Sequence, residues 1–477
     1  MKDLQSSVQE WISKREYQSF DYFLIQKMGY TMEGVDDTET RQKAYRAFCE
    51  KISPLNLASA PTIRRWFGIG GYAVPDRESV FAICFALGLD EKQTERFLVE
   101  GLKEPSFQIN DYMEIIYLYG LERGLTQKEC DDMAAEYESR LDIDISFCRT
   151  HSTHELRKQY QAKKDLPPDR FLVWMTGNAR FFKGYSQTVL DYFLRYKKLI
   201  LNSIKEDAEI VLQTLLEETE YFQWKRRRFI RETNLETIRR YIYSKKKIDE
   251  ELRTNILELA QVVYSEHHPN TLLIRELFSF NYEALSDIVR EQKFFRMTEK
   301  RMSDLLGMAV QRERQMKSLF GIQALEKIDG DAPCPETIRS LISELDSSFD
   351  ISPNAAQAGK WLKDYMKKQK RRCLLLQRGD ILPMVIYMVQ RDYMKKISYD
   401  MDKYNAIEAI KYFEEVANAT LSTCDMAPLN REYELDTLFY LCFQKSEMYS
   451  LADVLDVLEK ERQFDMRNFP QHDKTVI

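Results

Sequence analysis

Turn chemistry is nearly missing from this sequence, and that scarcity limits the folds open to it more than any motif does. Sheets and barrels reverse direction every few residues, and their tight turns draw on glycine for positive φ and proline for a fixed φ. Only 16 glycines and 13 prolines are spread over 477 residues, while Leu, Lys, Glu, Tyr and Phe are plentiful and recur at helical spacing. The reading is an all-α protein. Its length exceeds what one compact core holds, so several helical domains are expected.

The few breakers present serve as punctuation. A first helical run over about 3–27 ends near Gly29, and "EGVDDTET" leads into a second helix through Tyr45, Phe48 and Ile52, stopped by "SPLN". Pro75 and Asp76 mark a further helix start, and Gly88 separates that helix from the next. Paired prolines in "LPPDR" and the cluster in "KIDGDAPCPET" suggest boundaries. The expected units are an N-terminal helix (1–35), a helix-turn-helix-like domain with a helical extension (36–165), a central domain (166–328) and a C-terminal domain (329–477). The final "FPQHDKTVI" reads as a frayed tail.

No stretch approaches the roughly 18 uncharged apolar residues of a membrane span, and the N-terminus lacks a signal-peptide core. A cytoplasmic, bacterial-type protein without membrane contact is expected. Its eight scattered cysteines fit reduced, packed thiols better than disulfides.

The stretch "APTIRRWFG" (60–68) carries the strongest functional signal. Ser59 can cap a helix with Pro61 in its first turn. Ile63, Trp66 and Phe67 then supply a core face, while Thr62, Arg64 and Arg65 point outward. With its surroundings, "LASAPTIRRWFGIGGYAVPDRESVFAICFALGLDEKQTERFL", it resembles the Cro-type helix-turn-helix of phage-repressor-like regulators. In that class a Ser/Thr-led recognition helix ends in Trp and Gly, and a loop reaching a Pro precedes the next helix. The resemblance covers about residues 40–102. It implies DNA contact through Ser59, Thr62, Arg64 and Arg65.

Charge is segregated although the net value is only -6. Lys225 to Lys247 holds ten basic residues against Glu232 and Glu236, a balance of +8. Within it Lys225, Arg226, Arg227, Arg228, Arg239, Arg240, Lys245, Lys246 and Lys247, interleaved with Tyr241 and Tyr243, form a second candidate nucleic-acid surface, RNA included. The competing reading treats these charges as a solvated face over a core stripe of Trp224, Phe229, Ile230 and Tyr241. Another basic run, Lys363 to Arg378, balances at +6.

The two ends also look alike. "RESVFAICFALGL" followed by "TERFLVEGLKEPSFQINDYMEIIYLYGL" is echoed by "RGDILPMVIYMV" followed by "NATLSTCDMAPLNREYELDTLFYLCF". A duplication predicts that Phe81, Phe85 and Leu98 match Leu382, Ile386 and Leu421 in burial. Shorter echoes of "TIRRW" occur in "LETIRRYIYSKKK" and "PETIRSLISEL".

Enzymatic chemistry lacks a signature. "GIGGY" has no following Lys and Ser/Thr, so it is no P-loop. Cys148, His151 and His154 stand three apart without a fourth ligand nearby, and we assign no metal and no cofactor. His267, His268 and His472 have no visible nucleophile, and the pairs Asp131–Asp132 and Asp142–Asp144 take no acid–base role. The expectation is a non-enzymatic, DNA-binding helical regulator or accessory factor. The competing expectation is a scaffold that binds protein or itself. If Arg64 and Arg65 meet DNA they should share one exposed face with other cations; in a scaffold they should pair with carboxylates.

Overall fold

The computed structural model describes residues 2–14, 20–33, 37–52, 57–102, 104–141, 153–245, 248–264, 270–278, 299–347, 353–368, 376–431 and 434–468. Among them lie 22 α-helices and no strand, with two isolated bridges, Pro333–Asn354 and Phe443–Met448. The all-α reading therefore holds. Many helix ends are locally encoded: Asp76 caps Arg77–Ala86, Asp90 caps Glu91–Arg96 in a capping box, and Gly29 and Gly88 take positive φ just past their helices. Within the expected run 3–27 the described residues form the helices Lys2–Lys14 and Phe20–Lys27, and residues 15–19 lie outside them.

Four apolar clusters hold the helices together. One runs from Phe20 to Phe182 and adds Met316 and Phe320, so it continues past the proline pair at 167 and 168. The largest joins Leu4, Val8 and Trp11 to buried residues within 185–204, 273–278, 302–308, 376–426 and 438–458. A third spans Ala208 to Val263, and a fourth spans Ile322 to Leu362. The core thus gives 166 no break, and the first 35 residues contribute to two clusters. Prolines mark where helices start, which is a local property, whereas a core is assembled from distant segments.

Two long helices string these clusters together. Gln187–Glu218, 32 residues and about 48 Å long, places Val189 to Ile204 in the largest cluster and Ala208, Leu212 and Leu216 in the third. Glu299–Leu325 supplies Met302, Leu305 and Met308 to the largest cluster, Met316 and Phe320 to the first, and Ile322 and Leu325 to the fourth.

The similar ends share a helix order and an ionic lock. Arg77 opens the helix Arg77–Ala86 and grips Glu114 with two prongs, Nε to Oε1 at 2.7 Å and Nη2 to Oε2 at 2.8 Å. It also donates to the Pro105 and Ser106 carbonyls, both at 2.8 Å. Arg378 opens Arg378–Lys396, pairs with Asp436 at 2.6 Å, and donates to the Ala427 and Pro428 carbonyls at 3.2 and 3.4 Å. Each carboxylate is the third residue of the helix after the proline loop, Tyr112–Arg123 or Glu434–Leu441. Each accepts a backbone N–H from that loop, Gln108 at 2.7 Å or Asn430 at 2.8 Å. Phe81 and Leu98 are buried as Leu382 and Leu421 are, while Phe85 is half-buried where Ile386 is buried. The intervening helix is longer at the C-terminal end, Ala406–Thr423 against Glu91–Arg96 with its π-helical continuation Phe97–Gly101.

Candidate nucleic-acid interface

The stretch that opens with Ala60 folds as its composition dictates. Ser59 sits in extended geometry and its hydroxyl accepts the Thr62 N–H at 3.4 Å, with Pro61 in the first turn of the helix Ala60–Trp66. The apolar side turns inward: Trp66 and Phe67 are buried, Ile63 is half-buried, and Phe67 meets Phe48 and Tyr45 edge-on at 5.2 and 5.9 Å. After Trp66 the chain doubles back through Gly68, Gly70 and Gly71, all at positive φ, and the Ile69 and Ala73 amides take the Arg64 and Arg65 carbonyls at 3.0 Å. Beneath the turn, Arg41 is ion-paired with Asp21 and donates to the Phe67 carbonyl at 2.8 Å. A Cβ on Gly68 would overlap that guanidinium, so glycine is required by both space and backbone.

The outer face carries the cations. Arg64 and Arg65 are exposed, and neither has an ion-pair partner among the described residues. Arg64 lies over the Tyr45 ring at 5.9 Å, and Arg65 donates to the Thr62 hydroxyl at 3.5 Å while its stem runs along Gly71. A hydrogen bond with Cys49, then burial, hold the Tyr45 hydroxyl above its ordinary range, and Arg64 pulls it back. Other arginines of this chain are neutralised: Arg77, Arg301, Arg312, Arg378 and Arg391 all face carboxylates. Arg46, one position beyond Tyr45, is exposed and likewise has no ion pair among the described residues.

The central basic segment divides in two. Trp224, Tyr221 and Tyr241 pack together, the last with its hydroxyl on the Thr219 carbonyl, so Tyr241 is core and not interface. Burial raises its hydroxyl pKa. Lys225 is half-buried and donates to the Thr233 hydroxyl at 2.7 Å. Arg228 stacks over Trp224 at 5.0 Å, Lys245 over Tyr241 at 5.5 Å, and Arg240 pairs with Glu236 at 3.4 Å. Arg226, Arg227 and Arg239 are exposed; Lys246 and Lys247 lie outside the described residues. The expected core stripe needs one correction: Phe229 is 93% exposed. It belongs to the turn between Tyr221–Arg227 and Leu235–Ser244, where the capping box of Asn234 and Thr237 starts the second helix. The "NLET" motif, an N-cap five residues past Phe229, carried that signal.

The cysteines and several acidic side chains of the described residues are packed or hydrogen-bonded. Cys84, Cys130, Cys334, Cys424 and Cys442 are buried and unpaired. Burial pushes the Cys84, Cys130 and Cys424 thiols up to about 12, far from nucleophilic thiolates. Asp131 accepts the Tyr117 hydroxyl at 2.8 Å. Cys148, His151, His267, His268, His472, Asp142 and Asp144 lie outside the described residues, and among the described residues no group of three or more His, Cys, Asp or Glu could hold a metal ion. No helix of the described residues is long and apolar enough to cross a membrane. Neither a family model, nor a curated protein, nor a solved structure matches the chain.

Proposed function

We propose that this chain is a non-enzymatic DNA-binding protein that uses Ala60–Trp66 as the recognition helix of a helix-turn-helix. It would act as a transcriptional regulator or as an accessory factor of a mobile element or defence system. The observation that carries the reading is the contrast among its arginines: Arg64 and Arg65 stand exposed without carboxylates on a helix anchored by Trp66, in a chain that neutralises many others. A guanidinium left unpaired beside a hydroxyl, Thr62, suits phosphate oxygens and guanine edges.

The test is duplex binding by the parent and by Arg64→Ala and Arg65→Ala at one salt concentration, with circular dichroism as the control for folding. Loss of binding with unchanged helicity supports the proposal. Equal binding by parent and variants, or none by the parent, rejects it. A second reading, a scaffold that binds protein or another copy, is favoured by the exposed apolar side chains of Val173, Ile210 and Ile407.

A further inference from the structure

We propose that the turn joining Tyr221–Arg227 to Leu235–Ser244 binds single-stranded nucleic acid, with an unpaired base stacked on Phe229 and its flanking phosphates held by the surrounding arginines. This site is separate from the duplex site proposed at Ala60–Trp66, and it stands whether or not that helix meets DNA.

The argument begins with backbone geometry. Phe229 has φ +56, in the left-handed region that glycine occupies at least cost, and its N–H bonds the Arg226 carbonyl at 3.2 Å. The Ile230 N–H bonds the Lys225 carbonyl at 3.2 Å, so the chain is fixed where it leaves the first helix. A large side chain is thus held in a conformation that disfavours it. Packing gives no compensation, because the ring faces water while Tyr221, Trp224 and Tyr241 fill the core beneath. The turn presents an aromatic side chain almost wholly to solvent.

Its neighbours supply the charge. From Lys225 to Asn234 there are five cations against one carboxylate, Glu232. Arg226, Arg227 and Arg231 are exposed and have no ion pair among the described residues, Arg228 is fixed on the Trp224 ring, and Lys225 braces the turn through Thr233. An acidic polymer is the complementary partner, and the exposed ring selects among acidic polymers. Base faces are occupied inside a duplex but are free in a single strand, where stacking on aromatics and phosphate contacts to cations act together.

The experiment uses the full chain with fluorescein-labelled oligo(U), oligo(dT) and a mixed-sequence duplex, read by anisotropy over a salt series. Phe229→Ala should weaken binding of a single strand about 10-fold, with an unchanged salt slope and unchanged duplex binding. Phe229→Trp should keep parental affinity. Replacing Arg226, Arg227 and Arg231 by Gln should flatten the slope by about 0.7 for each phosphate no longer neutralised. Because the ring is exposed, none of these variants threatens the core. The proposal is overturned if the parent binds neither strand, or if Phe229→Ala binds both as the parent does. It is also overturned if Phe229→Ala dissolves a dimer seen by light scattering and leaves strand binding intact, since the ring then covers another copy.

Discussion

The paired locks allow a quantitative test of how the two ends are held. Arg378 and Asp436 have side chains only 4% and 0% exposed, and Arg378→Met keeps the unbranched apolar stem while removing the guanidinium with its charge and donors. Asp436 would then keep the Asn430 N–H but lose its cation, and the Ala427 and Pro428 carbonyls would lose their donor. Breaking a buried pair from one side costs about 3–5 kcal/mol, because a charge is left uncompensated. At about 1.4 kcal/mol per factor of ten, protection of amide hydrogens should fall by roughly two to three and a half orders of magnitude within 378–396 and 434–441. Hydrogen exchange read by mass spectrometry is the right assay, since one global unfolding free energy is ill-defined for a chain with four cores. Adding Asp436→Leu should recover part of the loss. Arg77→Met should act likewise on 77–86 and 112–123, with a smaller effect at the other end through Glu104, which faces Arg77 at 3.4 Å and accepts from Gln377 at 2.9 Å. Changes below a factor of ten in both variants, or a double variant as weak as the sum of its parts, would refute the reasoning.

Three further outcomes follow from the same structure. Trp66→Ala should cost about 3–5 kcal/mol as a buried aromatic deletion, seen as reduced exchange protection over 38–52 and 77–86; a loss under 1 kcal/mol would place Trp66 outside the core. Gly68→Ala should cost at least about 2 kcal/mol, because φ is +70 and the new Cβ displaces the Arg41 guanidinium from Asp21; a neutral result in the same assay would contradict this. Glu91 provides a pH test. Burial, then its hydrogen bond with Glu122, raise the Glu91 carboxyl, so the folded state holds that proton more tightly than the unfolded chain. Its contribution therefore weakens stability as pH rises from about 4.3 through the raised folded value. Glu91→Gln should raise the exchange-derived opening free energy over 91–96 and 112–123 at pH 7 and leave it nearly unchanged at pH 4; a drop at pH 7 would falsify the assignment.

What the sequence disclosed, and what it hid, follows from the range of the interactions involved. Ser59, Asp76, Gly29 and Gly88 act on backbone groups within a few residues, so the ends of their helices were legible. The likeness of the two ends was also legible, since Arg77 and Arg378 both open an apolar helix ahead of a proline loop. Their carboxylates were not, because Glu114 and Asp436 lie 37 and 58 residues away. The cores were hidden for the same reason: Trp11 packs in the cluster that holds Leu458, and nothing near either residue says so. Phe229 misled in another way. Its spacing from Trp224 fits a buried stripe only if the helix continues, and the left-handed turn at Phe229 ends it.

The measurement that bears most directly on the proposed function is the salt dependence of binding to duplex DNA by the parent and by Arg64→Gln/Arg65→Gln. Each phosphate contact contributes a slope of about 0.9 in log affinity against log salt. If both arginines meet phosphates, the double variant should lose about two units of slope while its helicity stays parental. If one of them reads a guanine edge instead, the slope should fall by about one and sequence discrimination should relax by about 1–3 kcal/mol. A parental slope and affinity in the double variant, or no duplex binding by the parent at low salt, would contradict the account.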